Sequence, residues 1–513
     1  MKNNDYYYTP LNPSLSENIK NIKEISGGSS DVLVNEFEAG GVKCALLCCE
    51  GMVAMGIISE LVFRPITHIT LENKNSKALF EHINNKLLLS ADRIKVINYG
   101  NLFRTLNSGF AVLIAEGADT ALAFGVQGYA MRSVNEPSGE ANIMGSHDGF
   151  VEVIRANMSL IRRRLKSPSL VLELSVIGSK TQTDICLCYM QDRVPKSLLD
   201  KIKKSLDKID LESVLSTGYI RPFLESRRLE IFNSTGTTER PDVLCSKLIE
   251  GRVAILIDGI PFAIVIPKLF CESFQTLDDY AFKPYYAFFI RWIKYFAFLI
   301  AILLPSLYVA ISLHHPELLN SSLLMILAEA EEKAPVSLLA EAMGVLLLYE
   351  IIREAGLRLP KVVGGAVSIV GGLIIGDSAV QSGLISTPML TIIALAVTSG
   401  FVVPEINQSI TILRFVFLIA GGWLGLFGIS LVACVVLVNI CATEDYGFPF
   451  TAPISPFKPK AMRDTLGRIG FRKMQKGNFT VGQAEDQATV ERRLKPNSLR
   501  CFDERVEILP VRF

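Results

Sequence analysis

The sequence lacks the short motifs that mark common catalytic sites. It has no Gly-x-x-x-x-Gly-Lys-[Ser/Thr] phosphate loop, no His-Glu-x-x-His zinc motif and no Gly-x-Ser-x-Gly nucleophile motif. The net charge is only +1 over 513 residues, so no excess of positive charge favours a nucleic acid as a partner. We therefore expect neither an enzyme, nor a cofactor-binding protein, nor a nucleic-acid-binding protein.

Regular cysteine spacing is also missing, although the chain has ten cysteines. Cys44, Cys48 and Cys49 form one group, and Cys186 and Cys188 form another. Both groups lie in apolar, strand-like runs without a nearby histidine, where cysteine behaves as a small buried hydrophobe. Zinc sites usually show closer pairing of Cys and His at fixed spacings. The pattern predicts no metal site.

The first 30 residues contain no basic region followed by an apolar one, so we expect no signal peptide. They are rich in Asn, Ser and Tyr and are predicted to be disordered. A large soluble region without a signal peptide most simply stays in the cytoplasm, where disulfides are disfavoured.

What the chain does have is a string of apolar runs in its late middle, from about residue 286 to residue 442. The runs 296–313 and 415–440 contain no charged residue. About 20 apolar residues suffice for a helix to cross a bilayer. The sequence therefore predicts a soluble module, ending near residue 283, followed by an all-α polytopic membrane domain at 284–445 and a basic cytoplasmic tail at 446–513.

The soluble module contains an internal repeat at an offset of 142 positions. Residues 108–117 (SGFAVLIAEG) align with 250–259 (EGRVAILIDG), and 44–48 align with 186–190. In the second copy, Asp258-Gly259 separates two β-rich runs, which predicts a hairpin with a tight type I′ turn. The first copy predicts a looser turn at 116–119.

Helical patterns fall between these strands. Apolar periodicity predicts helices at 150–165 and 195–209. The first ends in the run Arg162-Arg163-Arg164, for which a solvated face or an interface within the domain is favoured over contact with acidic lipid. We predict an α/β module of two similar subdomains, 31–145 and 146–283.

The membrane domain is predicted to have four to six membrane segments. The loop 314–320 has no Lys or Arg while the tail is basic, so the positive-inside rule places the loop outside and both chain ends inside. The number of full crossings must then be even. Five apolar stretches are visible: 288–313, 321–352, 362–384, 389–403 and 415–440. Because five full crossings would be an odd number, we expect either that one short stretch is re-entrant or that 321–352, which is interrupted by charged residues and a proline, forms two segments.

Several longer motifs resemble those of the GerA spore germination proteins, A-subunit type. In the soluble module they are 157–164 (NMSLIRRR), 216–220 (STGYI), 238–242 (TERPD) and 248–261 (LIEGRVAILIDGIP). In the membrane domain and tail they are 304–305 (LP), 308–310 (YVA), 315–317 (HPE), 350–360 (EIIREAGLRLP), 368–376 (SIVGGLIIG), 445–449 (DYGFP) and 452–453 (AP).

The resemblance implies a subunit of a nutrient-sensing receptor in the inner membrane of a bacterial spore. It implies self-assembly into a nutrient-gated ion channel, a permease-like B-type partner that binds the nutrient, and a lipoprotein C-type partner. The soluble module would face the spore core. Two alternatives stay open: a germination amplifier or scaffold that works with the SpoVA channel, and a secondary transporter with a regulatory domain.

A pore or gate element is predicted around Asp377, because an acidic residue at membrane depth is costly and suggests an ion path. Glycines nearby permit irregular backbone that faces water, but they equally permit close helix packing. The candidate pore or gate residues are Asp377, Ser368, Ser378, Gln381, Gly372 and Gly376.

A second candidate set is a coupling network on one helix face. Glu350, Arg353, Glu354 and Arg358 have the spacing at which side chains can pair along a helix. The alternative is a solvated cap on a membrane helix, since exposed pairs contribute little to stability. Glu341 lies deeper and is a candidate for lining the same pathway.

Overall fold

The computed structural model describes residues 5–69, 71, 75–86, 93–128, 140, 143–225, 230–332, 334–359, 376–455, 457 and 461–470. Within them, two antiparallel sheets flanked by helices precede a helical region, as the sequence predicts.

Subdomain 1 is a five-stranded antiparallel sheet with helices on both faces. The prediction of a disordered segment 1–30 is wrong for the helix Leu15–Ile25, because its apolar face is buried against this sheet. Alternate residues of its central strands face opposite layers, so Leu46 and Leu113 pack on one side and Leu47 and Val112 on the other. The strand order is β1-β2-β4-β5-β3. Its elements are α1 (Leu15–Ile25), β1 (Val32–Ala39), β2 (Val42–Cys49), three short helical turns (Met55–Ile57, Ile58–Phe63, Arg64–Thr67), α2 (Ser76–Lys86), β3 (Arg93–Val96), α3 (Tyr99–Leu106), β4 (Phe110–Ala115) and β5 (Ala121–Gly125).

Subdomain 2 repeats this architecture. Its sheet has the strand order β6-β7-β9-β10-β8. Adding five to each strand number of the first sheet gives this same order, so the two sheets have the same topology. The two predicted similar subdomains are therefore confirmed. The elements are α4 (Ile154–Arg164), β6 (Leu170–Ile177), β7 (Thr183–Met190), α5 (Lys196–Leu206), α6 (Thr217–Leu224), β8 (Gly236–Thr238), α7 (Pro241–Ile249), β9 (Val253–Ile257) and β10 (Ala263–Ile266).

The predicted hairpin at Asp258-Gly259 forms between β9 and β10, but its turn is longer than type I′. Five residues separate the strands, and within this turn positive φ is confined to Gly259, at 80°. The helix predicted from residue 150 starts at Ile154, because residues 150–153 are held extended. The Asn157 side chain accepts from Val151 N at 2.8 Å and donates to Val151 O at 2.6 Å.

The helical region begins with α8 (Pro284–His314), which is long and apolar enough to cross a membrane. The stretch predicted at 321–352 forms two helices, Ser321–Glu332 and Leu338–Arg358. Most of the stretch 362–384 lies outside the described residues, so the predicted count of segments stays a prediction. The remaining elements are α9 (Ser321–Glu332), α10 (Leu338–Arg358), a helical turn at 376–381, α11 (Thr387–Gly400) and α12 (Asn407–Ala442).

The single span predicted at 415–440 is wrong, because α12 folds back on itself at Gly425. This residue has φ 61° and ψ −145° inside an otherwise helical segment. Ser409 Oγ donates to Ile231 O at 2.6 Å, and Asn439 Oδ1 accepts from Ile231 N at 3.4 Å. A straight helix would separate residues 409 and 439 by about 45 Å. Residues 407–424 and 426–442 are thus two antiparallel legs of one hairpin.

The far end of this hairpin meets the end of α8. His314 Nε2 lies 2.8 Å from Gly422 O, and a Cβ on Gly425 would come 3.0 Å from the His314 Cβ. The near end of the hairpin and the start of α8 both lie at the soluble module. Helix α8 therefore leads away from the module, and the hairpin leads away and back.

After α12 the chain returns to subdomain 2 instead of leaving as a free tail. The strands β11 (Glu444–Asp445) and β12 (Phe448–Pro449) form a small ladder, and Phe448 packs into the core beneath the second sheet. Phe450 O accepts from Phe270 N at 2.9 Å. The predicted tail thus includes a part that is folded onto the module, up to residue 470 in the described chain.

Candidate functional site

The predicted pore or gate residues are described in part. Four of the six are described: Gly376, Asp377, Ser378 and Gln381. Two lie outside the described residues: Ser368 and Gly372. Asp377 and Gln381 are exposed on one helical turn, where Gln381 Nε2 donates to Asp377 Oδ2 at 2.8 Å. Asp377 is thus on the surface of a single copy, and its role in a pore stays a prediction.

The four residues predicted as a coupling network separate into two pairs. Arg353 lies 2.6 Å from Glu350 and is partly buried, whereas Arg358 lies 2.7 Å from Glu354 and is exposed. Thr411 of α12 joins the first pair, at 3.4 Å from both Arg353 Nη1 and Glu350 Oε1. The first pair therefore connects α10 to the hairpin, and the second is an exposed pair on α10.

Glu341 lies apart from both pairs and connects α10 to α11. It is 3% exposed, and its Oε1 accepts from the Ser386 N at 2.6 Å and from the Ser386 Oγ at 2.8 Å. Ser386 directly precedes α11, whose N-terminal end favours a negative charge. The carboxylate of Glu341 thus caps α11 from a neighbouring helix.

Arg414, which belongs to neither predicted residue set, is a buried cation between three helices. Its Nε donates to Ala301 O of α8 at 2.8 Å, and its Nη2 reaches Ala396 O of α11 at 3.4 Å. A buried charge is tolerated where hydrogen bonds replace its water. The signal was present, since Arg414 directly precedes the charge-free run that predicted the last span.

A largely buried group of charges, here called the junction cluster, joins the start of α8 to the soluble module and the folded tail. It consists of Asp279, Arg291, Lys294, Asp464 and Arg468. Arg291 Nε lies 2.9 Å from Asp279 Oδ2 and its Nη1 lies 3.1 Å from Asp464 Oδ1. Lys294 Nζ lies 3.3 Å from Asp279 Oδ1, and Arg468 Nη1 donates to Asp279 O at 2.6 Å.

A second buried ion group lies next to the junction cluster, inside subdomain 2. Arg252 and Lys247 both pair with Glu272, with Lys247 Nζ 2.8 Å from Glu272 Oε1. Burial opposes ionisation of this carboxyl, but the two cations prevail and lower the pKa of Glu272 to about 2. Glu272 is therefore charged at neutral pH and fixes the turn that leads toward α8.

Further contacts join the module to the hairpin. Lys268, just after β10, lies 2.7 Å from Glu405 in the turn before α12. Phenylalanine rings from the module, from α8 and from the tail pack against one another over this turn: Phe232, Phe270, Phe274, Phe298 and Phe450. Aromatic pairs of this kind add about 0.5–1.5 kcal/mol each beyond their burial. The module is thus fixed to both α8 and α12.

The two subdomains are joined by a buried ion pair. Arg162, the first residue of the arginine run, lies 2.8 Å from Asp31 of subdomain 1, with both side chains at most 2% exposed. Arg163 and Arg164 instead pair with Asp148 at the surface. Of the three arginines, Arg162 forms the predicted interface, by joining the two subdomains.

The cysteines in the described part of the chain are unpaired, and those in the two sheets are buried. Burial raises the pKa of the thiols of Cys44 and Cys245 to about 12, so both are neutral and unreactive. Among the described residues, no group of three or more His, Cys, Asp or Glu side chains is placed to hold a metal ion.

Comparison with known proteins gives one consistent result. A family model described as Bacillus/Clostridium GerA spore germination protein matches residues 20–478. Spore germination protein KA of Bacillus subtilis (strain 168) is 36% identical over 464 residues, which cover 90% of this chain and 85% of the relative. The uncharacterized membrane protein YfkQ of the same organism is 33% identical over 487 residues, covering 94% of each chain.

A solved structure is also similar. It is the crystal structure of the N-terminal domain of the A subunit of the Bacillus megaterium spore germinant receptor GerK3. The sequences are 30% identical, the TM-score is 0.40, and the match covers 51% of this chain and 98% of that one.

Proposed function

The chain belongs to the GerA family of spore germination proteins, A-subunit type, and we propose that it is the A-type membrane subunit of a germinant receptor. In this proposal several copies assemble in the inner membrane of the spore and together form an ion channel. A nutrient signal opens the channel, and the release of ions starts germination.

The observation that carries the proposal is the double attachment of the soluble module to the membrane helices. The junction cluster holds the start of α8, while Lys268 and Ile231 hold the turn and both legs of α12. A gated channel needs an element whose movement reaches the pore. A module fixed to the first and last membrane helices supplies such an element.

The exposed polar turn at 376–381 supports assembly. Asp377 and Gln381 bond to each other at the surface of one copy. An ionised side chain that faces lipid is expensive, whereas one that faces a water-filled path between copies is not. Assembly with this turn toward a shared axis would remove the cost and place acidic groups beside passing cations.

The remaining parts of the proposal concern partners and location. A permease-like B-type subunit would bind the nutrient, and a lipoprotein C-type subunit would complete the receptor. The module and both chain ends would face the spore core, in keeping with the basic tail. We propose no enzymatic activity, no cofactor and no nucleic-acid partner.

The test is cation flux through the purified full chain in liposomes. We expect an oligomer that releases entrapped K⁺, and we expect Asp377→Asn to change the K⁺ to Cl⁻ permeability ratio. Glu317→Gln, which removes an exposed acid from the loop after α8, is the matched control and should leave that ratio unchanged. A monomer without conductance would refute the channel. An oligomer without conductance would instead favour a scaffold that serves a separate channel.

A further inference from the structure

The folded part of the tail ends in a segment, here called the strap (residues 462–470), that lies beside the joint between the soluble module and α8. The joint consists of the link 275–283 and the first residues of α8, which begins at Pro284. Hydrogen bonds and an ion pair connect the strap to the link on one side and to α8 on the other. A segment bound to both sides of a joint holds the two sides in one arrangement.

Asp464 of the strap binds both sides by itself. Its carbonyl oxygen accepts from Gln275 Nε2 in the link at 2.8 Å, and its Oδ2 accepts from the Tyr280 hydroxyl at 2.9 Å. The same residue meets α8 through Arg291, whose Nη1 lies 2.9 Å from Asp464 O and 3.1 Å from Asp464 Oδ1. Arg291 is fully buried, so these hydrogen bonds replace the water that its guanidinium group has lost.

Arg468 of the strap binds the backbone of the link. Its Nη1 donates to Asp279 O at 2.6 Å and to Phe282 O at 2.9 Å. Both carbonyls belong to the short helical turn before α8 and its cap, where the carbonyls of a helix end lack partners within the helix. Arg468 and Arg291 also place their guanidinium carbons 5.6 and 5.7 Å from the centre of the Tyr280 ring, which is within cation–π distance. The strap and α8 therefore meet at the same tyrosine of the link.

The backbone of the strap fits closely against the first turns of α8. Gly467 lies against the Phe288 ring, at a separation that leaves no room for a Cβ atom. A Cβ on Gly470 would lie 3.7 Å from Pro284 Cγ, which is an ordinary contact. The strap therefore follows α8 back toward its first residue, and glycine at position 467 permits the closest part of this approach.

Polar contacts, rather than burial of apolar side chains, hold the strap. Arg468 and Thr465 are buried, whereas the apolar Met462, Leu466 and Ile469 are only half-buried. The hydrophobic clusters in the described part of the chain include no residue of the strap. Because hydrophobic stabilisation scales with the apolar area removed from water, the strap can leave the joint without a large loss of this kind.

We propose that the strap is a latch on this joint. While it is docked, the module and α8 move as one body, and when it undocks, the link becomes a hinge. Undocking leaves Asp279 paired with Arg291 and Lys294, so the joint loosens without coming apart. This inference rests on the proposed function in one respect, the transmission of movement from the module to the membrane helices, but docking itself requires no conduction.

The test is amide hydrogen exchange, read by mass spectrometry, on the purified full chain in detergent. Exchange in residues 275–287, which cover the link and the first turn of α8, is compared with exchange in β9. Arg468→Gln removes the charged donor to the link carbonyls. We expect exchange in 275–287 to become at least about tenfold faster, while β9 exchanges as in wild type. Arg463→Gln is the matched control, because it removes an exposed arginine of the same strap, and it should change neither region.

A second variant covers the case in which Arg468→Gln fails to fold. Asp464→Asn keeps the size of the side chain, removes the charge that faces Arg291, and should also speed exchange in 275–287. The latch is overturned if the folded variants exchange as wild type does, or if Arg463→Gln has the same effect as Arg468→Gln. It is also overturned if exchange rises equally in β9, since general destabilisation would explain that result. Because exchange is measured without conduction, a chain that shows the local increase but no cation flux would refute the channel and leave the latch supported.

Discussion

Replacing Arg162 with methionine tests whether the two subdomains depend on a single buried ion pair. The guanidinium donates to both carboxylate oxygens of Asp31 at 2.8 Å, and to Ser167 O and Leu170 O at 3.1 Å. The substitution keeps much of the side-chain volume and removes every one of these donors. Asp31 would then be a charge buried without a cation.

The expected loss of stability is large, because removing one partner of a buried ion pair costs about 3–5 kcal/mol. For a region of about 250 residues this lowers the melting temperature by about 6–20 °C. Arg163→Met is the matched control, one residue along the same helix. Arg163 pairs with Asp148, and both side chains are at least 30% exposed, so the control should cost less than about 1 kcal/mol.

The assay is thermal unfolding of the purified full chain, with both single variants measured beside wild type. A double-mutant cycle with Asp31→Ala adds a second reading, since the combined change should cost less than the sum of the two single changes. If Arg162→Met is no more harmful than Arg163→Met, or if the cycle is additive, the reasoning about this interface is wrong.

Three further changes test other parts of the structure. Gly425→Ala places a Cβ 3.0 Å from the His314 Cβ at a residue whose φ is 61°, and it should lower the free energy of unfolding by at least about 1–3 kcal/mol. Gly344→Ala is the control, because a Cβ there meets nothing within 4 Å, and it should be neutral or stabilising. Denaturation of both variants in detergent makes the comparison. Burial raises the pKa of Glu140 from 4.5 to about 7, so the folded state holds this proton more tightly than the unfolded state. The stability of the folded state is therefore highest below about pH 4.5 and decreases as the pH rises to about 7, because the folded state then has to release this proton. In Glu140→Gln the melting temperature should no longer depend on pH through this group over that range. Asp279→Asn leaves the two cations of α8 with fewer partners and should cost about 3 kcal/mol, measured by chemical unfolding; a loss under about 1 kcal/mol would contradict the buried position of the cluster.

The soluble fold was predictable because its signals are local and repeated. Strand alternation and the offset of 142 residues identify two copies of one sheet, and Asp258-Gly259 marks a hairpin. The hairpin at Gly425 was not recognised, because an uninterrupted apolar run looks the same for one long helix as for two antiparallel ones. The closely spaced glycines around Gly425 were the available sign of a break.

The sites were less predictable, because their partners are distant in sequence. Spacing rules identified Glu350–Arg353 and Glu354–Arg358, which are three and four residues apart. They cannot find Arg291 with Asp464, which are 173 residues apart. Within the run Arg162–Arg164, one arginine is buried and two are near the surface, and nothing in three identical letters distinguishes them.

The fold-back of α12 has a mechanical consequence. Ser409 and Asn439, at the two ends of the hairpin, both bond to the backbone of Ile231, so a tilt of the soluble module would move the two ends together. Each leg is about 25 Å long at 1.5 Å per residue, and a stiff leg of that length converts a tilt of a few degrees into a displacement of about an ångström at Gly425. That tip rests against His314 at the end of α8. The hairpin therefore connects the end of the helical region that contacts the soluble module with the opposite end, at His314.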